Sequence, residues 1–128
     1  MEGRPHVRKV PRGTIVTLSL DPTVGSEQRG VRPCVIVSDP DVAGDQRYPL
    51  VAVIPLTRTA GTGALYPKLE PGESGIRNVS YALVDQVRSV DKRRIRAVGR
   101  GIAPSELEGI DAGLRLYLGL DAGKEDVP

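Results

Sequence analysis

Apolar and polar residues alternate along residues 13–20, "GTIVTLSL": Val16, Leu18 and Leu20 share one face, Thr17 and Ser19 the other. A period of two predicts a half-buried strand there, and Asp21-Pro22 ends it. Residues 34–37 are apolar on both faces, which predicts a central strand over about 32–38. The stretch "LVAVIPLT" predicts a third strand over about 49–57. Its Pro55 has no N–H to give a ladder, so that part is expected at an edge or a bulge. Residues 39–49 are polar and turn-rich and read as a surface loop. Residues 60–75 hold four glycines and two prolines around a short strand expected over about 64–70. Further strands are predicted over about 80–91 and 94–99, with a turn near Asp91-Lys92.

The period then changes. Leu107, Ile110, Leu114, Tyr117 and Leu118 recur at helical spacing. Ser105 as N-cap and Glu108 three residues later fit a capping box, so one amphipathic helix is predicted over about 105–120. Its apolar stripe reads as core rather than a partner groove. An acidic tail, 121–128, is expected to fray. No internal repeat is visible. Five or six short strands followed by a helix predict a mainly β fold: a small, strongly bent antiparallel sheet or partial barrel with the helix packed on it.

Composition narrows this picture. A chain of 128 residues with 39% hydrophobic and 27% charged content reads as one globular domain. The single cysteine, Cys34, allows no intrachain disulfide, and its apolar setting predicts a buried, inert thiol. His6 is the only histidine, which excludes a two-histidine acid–base mechanism and argues against a histidine metal site. With no Trp, no Phe and four Tyr, a base-stacking platform is not expected. No run has membrane-spanning length and the first residues lack the apolar core of a signal peptide, so the cytoplasm is the expected location and no membrane partner is expected. Formal net charge is +2, but residues 88–100 carry Arg88, Lys92, Arg93, Arg94, Arg96 and Arg100 against Asp91 alone. A basic arm, 1–11, precedes the domain. Such a cluster fits a polyanionic partner or a merely solvated surface, and charge leaves both open.

Two places carry candidate chemistry. Residues 25–33, "GSEQRGVRP", put a hydroxyl, a carboxylate, an amide and two guanidinium groups into one loop. Gly25 and Gly30 make Ser26, Glu27, Gln28 and Arg29 a mobile part. Arg32, next to Pro33 and the buried strand, is expected to be fixed. An arginine fork at a strand mouth suits a phosphate; an ion pair with a carboxylate at the strand entrance is the equal alternative. The second place is Thr57-Arg58 at the end of "LVAVIPLT". There a hydroxyl can point into a cleft, although capping the strand or bonding to backbone is the commoner use of such a threonine.

Read together, "RGTIVTLSLDPTVGSEQRGVRPCVIVS" resembles the opening of the MazF/PemK toxin endoribonucleases, in which a strand is followed by a GSE-Q-type loop, Arg-Pro and an apolar strand. The segments "VIPLT", "LVDQVRSVDKRRI" and "GRGIAPSELEGIDAGLRLYLGL" are similar to that family's later strands and closing helix, so the resemblance spans about residues 12–120. It implies an SH3-like barrel of five to seven strands with a C-terminal helix. It implies Arg32 and Thr57 as the catalytic pair, and Ser26, Glu27 and Gln28, with Arg29 and Arg58 beside them, as RNA-contacting positions. It implies a homodimer that cuts single-stranded RNA without metal or other cofactor, with messenger RNA as substrate and ribosomal or transfer RNA as further candidates. It implies a MazE-like antitoxin as partner, with DNA operator contact only through the antitoxin complex. Arg29 and Gly30 vary the family's loop, and the 1–11 extension lies beyond its usual start.

Metal-free cleavage can use the substrate's own 2′-hydroxyl, leaving a 2′,3′-cyclic phosphate and a 5′-hydroxyl. Arg32 suits the growing phosphorane charge, and Thr57 adds a hydroxyl donor. Glu27 is the one carboxylate in the loop and so its one candidate base; a solvated charge or an antitoxin contact is its other reading. Two alternatives stand beside the ribonuclease. Gyrase poisons of the same fold rely on a Trp-Gly-Ile ending, and this chain has no Trp. A non-catalytic barrel would bind nucleic acid and leave it intact.

Overall fold

In a computed structural model, residues 10–120 are described; the arm's residues 1–9 and the tail 121–128 lie outside them. The strands are β1 (Thr14–Ser19), β2 (Val31–Ile36), β3 (Leu50–Thr57), β4 (Lys68–Leu69), β5 (Ser80–Ala82), β6 (Arg88–Asp91) and β7 (Ile95–Gly101). A one-turn helix, α1 (Pro40–Gly44), stands within the expected surface loop, and α2 (Pro104–Leu118) closes the domain. All strand pairs are antiparallel, in the order β4-β5-β3-β2-β1-β7, with β6 also on β3. The result is a curled antiparallel half-barrel carrying a C-terminal helix.

The curl begins at β3. Its first half pairs with β6 and its last two residues with β5, both on the side away from β2. Pro55 stands at this fork. Its carbonyl accepts Leu83 N–H at 2.9 Å, and its missing N–H falls where one partner strand ends and the next begins. Pro55 is therefore on a central strand, opposite Cys34 of β2, and not at an edge or a bulge. The same fork divides the strand expected over 80–91. β5 and β6 must reach different parts of β3, so a 3-10 turn, Val84–Gln86, separates them.

Strand alternation supplies two apolar faces. Val16 and Leu18 of β1, with Leu20 just past its end, join Cys34, Ile36, Val51, Val53 and Val90 inside the curl. Ile15, Val35, Ile54 and Leu56 point the other way, onto Ile110 and Leu114 of α2. Cys34 is fully buried, and desolvation pushes its thiol up to about 12. In α2, Ile110 is buried but Tyr117 and Leu118 are about half exposed, so the apolar stripe stops short of the last turn.

The helix start also differs from expectation. Ala103 occupies the N-cap, Pro104 follows, and Glu106 rather than Glu108 is the third helical residue. Proline is pre-set for that first position. Ala103 has no side-chain acceptor, so Glu106 supplies the reciprocal bond: its Oε1 accepts Ala103 N–H at 3.1 Å, while Oε2 accepts Glu70 N–H at 2.7 Å. Arg12 pins the helix from the other side. Its guanidinium donates to both carboxylate oxygens of Asp111 at 2.9 and 2.7 Å and, through Nε, to Val37 O at 2.9 Å.

Candidate functional site

A cleft of about 410 Å³ opens beside the β2–β3 ladder, where the Ile15–Thr17 face of β1 meets the segment 74–80. Arg32, Thr57 and Arg58 all line it. The strand register explains why. The last paired positions are Cys34 and Pro55. Continued by two residues, that register sets Arg32 opposite Thr57, on one face of the sheet. Two residues that are 25 positions apart in the chain thus come to one cleft because of the pairing, not because of the loop.

Arg32 is exposed, and its Nε donates to Arg29 O at 2.9 Å. Among the described residues no carboxylate pairs with it, and its two terminal nitrogens have no partner. One edge of the guanidinium is held and the fork is free. Thr57 does both of the things open to it. Its Oγ1 accepts Thr59 N–H at 3.2 Å, a local turn, yet the side chain still lines the cleft with its own hydrogen left to donate.

Ser26, Glu27, Gln28 and Arg29 do not line the cleft; they stand in the adjoining loop. Glu27 closes that loop on itself: its Oε1 accepts Val24 N–H at 2.7 Å and its own N–H donates to Val24 O at 3.1 Å. The loop is less free than its glycines suggest. Gly25 and Gly30 do take positive φ, at 58° and 78°. However, Gln86 Oε1 accepts Gln28 N–H at 2.6 Å, and Gln86 Nε2 donates to Ser26 O at 3.3 Å. At the base, Asp21 Oδ1 accepts Gly30 N–H at 3.3 Å.

The basic stretch 88–100 is neither one free surface nor idle. Arg88 donates to Leu20 O, and Arg94 to Ser19 O and Asp21 O, so both hold the carbonyls at the loop's root. Lys92 ties α1 through Val42 O and Asp45 O. Arg93 pairs with Asp91. Arg96 and Arg100 remain exposed.

Arg77 and Asn78 also line the cleft, and sequence reading passed over them. Their only signal is polarity just past the glycine-rich stretch 60–75. With Arg32 and Arg58 they bring three guanidinium groups to a cleft that, among the described residues, no carboxylate lines. Such a surface attracts a polyanion. The family model for the PemK-like, MazF-like toxin of type II toxin–antitoxin systems matches residues 11–118. The chain belongs to this family. Its fold is similar to MazF from Deinococcus radiodurans at 30% identity and TM-score 0.70, covering 87% of this chain and 97% of that one. A MazE–MazF complex from the same organism matches at 27% identity and TM-score 0.66, covering 91% of this chain and 100% of that one. A mycobacterial endoribonuclease in complex with its cognate antitoxin matches at 22% identity and TM-score 0.70, with 87% and 97% covered, and shares the fold. In this MazF-like chain no helix of the described residues is long and apolar enough to cross a membrane.

Proposed function

We propose that the chain is the toxin of a type II system and cuts single-stranded RNA by attack of the 2′-hydroxyl on the adjacent phosphorus. One observation carries the reading. In a chain of this family, the free fork of Arg32 and the hydroxyl of Thr57 converge on one cation-lined cleft. The phosphate sits between them. Arg32 donates to its non-bridging oxygens as phosphorane charge grows, and Thr57 adds a second donor. The 5′-oxygen leaves as an alcohol by taking a proton from Arg32, which solvent then restores. A guanidinium has donors and no acceptor, so Arg32 is a poor free base. Glu27 is folded into its own loop and does not line the cleft, so the 2′-hydroxyl proton passes to solvent or to a phosphate oxygen instead. Arg58, Arg77 and Asn78 bind flanking nucleotides. The products are a 2′,3′-cyclic phosphate and a 5′-hydroxyl, and loss of messenger RNA stops translation.

Family membership supports a homodimer in the cytoplasm, and likeness to the MazE–MazF complexes supports a MazE-like antitoxin. Operator DNA is reached only through that complex. The test is digestion of RNA by purified protein in excess EDTA, followed by end-group mapping. Fragments with cyclic phosphate and 5′-hydroxyl ends are expected. Intact RNA that is nevertheless retained by the protein would leave a non-catalytic barrel, and dependence on added metal would remove the mechanism.

A further inference from the structure

The carboxamide of Gln86 does what a neighbouring strand would do. It accepts Gln28 N–H at 2.6 Å and donates to Ser26 O at 3.3 Å, bracketing the loop across 58 and 60 residues of chain. The residue is itself pinned: Gln86 N–H donates to Leu83 O at 2.8 Å within the 3-10 turn, next to fully buried Val84. On the far side of the loop, Arg29 O accepts the Nε of Arg32 at 2.9 Å. Gly25 and Gly30 meet nothing within 4 Å at the Cβ position, so packing does not hold this segment. Its fixed points are hydrogen bonds.

We propose that Gln86 is a positioning residue: by clamping Ser26 and Gln28 it sets the carbonyl of Arg29, and through that carbonyl the direction in which Arg32 presents its fork. This rests on the ribonuclease reading for its catalytic consequence but not for the clamp itself. Gln86→Leu removes both bonds. Gln86→Glu keeps the acceptor, loses the donor and sets a carboxylate oxygen against Ser26 O, with almost no change of shape.

The experiment uses the full chain with a nitroxide at Val24→Cys, a position that is 79% exposed, while buried Cys34 stays unlabelled. The labelled protein should cut RNA like the unlabelled one. Gln86→Leu is expected to sharpen the spectrum and to lower kcat at least tenfold, with KM changed less than threefold and the melting temperature nearly unchanged. Gln86→Glu should do the same to a smaller degree, which guards against a folding defect in the leucine variant. An unchanged lineshape in both variants overturns the clamp. A mobilised loop with wild-type kcat overturns the positioning role. If the unsubstituted protein leaves RNA intact, the ribonuclease reading fails, and the lineshape still decides whether Gln86 holds the loop.

Discussion

Arg32→Ala separates chemistry from folding more sharply than any other change here. In the fold, Arg32 makes one exposed hydrogen bond, to Arg29 O, and buries no apolar surface of note. Losing such a bond costs about 1 kcal/mol, or a few degrees of melting temperature for a domain of this size, at roughly 2–8 °C per kcal/mol. Under the proposed mechanism, the same residue supplies preorganised donors to a charge that exists only in the transition state. Loss of one such donor costs about 3–4 kcal/mol, and each 1.4 kcal/mol, roughly, is a factor of ten. Single-turnover cleavage should therefore fall between about 10²- and 10³-fold. Arg32→Lys keeps the charge but loses both the fork and the Nε bond to Arg29 O, so it should regain less than about a tenth of the lost rate. The assay is cleavage of a fluorogenic RNA oligonucleotide beside a thermal melt of each variant. Activity of Arg32→Ala within threefold of wild type would refute the assignment. So would full activity in Arg32→Lys, since a point charge would then suffice.

Two further outcomes test the frame that carries the site. Gly113→Ala and Gly109→Ala, four positions apart on α2, should have opposite signs. A Cβ at Gly113 would stand 2.9 Å from Ala64 O and 3.2 Å from Val84, so that variant should lose about 1–3 kcal/mol. At Gly109 the nearest neighbour is Pro67 Cβ at 3.7 Å, an ordinary contact, and alanine should gain about 0.5–1 kcal/mol in urea denaturation. The Asp45 carboxylate is held down at about 2, first by the Arg47 side chain and then by Arg47 N–H. A depressed folded value contributes stability that is complete above the unfolded value of about 4 and is lost as pH falls toward 2. Urea midpoints should drop across that window, and Asp45→Asn should flatten the drop; equal slopes in both proteins would remove Asp45 as the cause.

What could be read in the sequence follows from what is local. The alternation of Val16, Leu18 and Leu20, the doubly apolar runs of β2 and β3 and the helical recurrence around Ile110 report burial, and burial leaves a period. The errors cluster where one element answers to two others. Pro55 looked like an edge residue because a missing N–H is usually tolerated at an edge, whereas here a fork between two partner strands leaves that N–H unneeded. Ser105 looked like the helix cap because its side chain can cap. Pro104 is the first helical residue, so the cap falls two residues earlier, at Ala103, and Glu106 accepts from Ala103 N–H and Glu70 N–H together. Arg77 and Asn78 reach the cleft through the path of a loop, which no periodicity encodes.

The loop at 25–33 shows the same limit at the site itself. Reading side chains divides it into a soft half that touches RNA and a rigid arginine. The bonds do not respect that division, because backbone groups carry them. Arg29, whose side chain has no evident task, contributes its carbonyl to Arg32, and Gln86 grips the backbone of Ser26 and Gln28 from the far side of the sheet fork. Backbone donors and acceptors are the same in every residue except proline, so composition cannot reveal which of them are bonded; only the partner's position can. If this loop contacts RNA as proposed, a loop tied at both ends in this way does not read bases independently of Arg32: a shift of Ser26 or Gln28 would be passed along the backbone to the fork of Arg32. Sequence preference and cleavage rate should therefore vary together when this loop is changed.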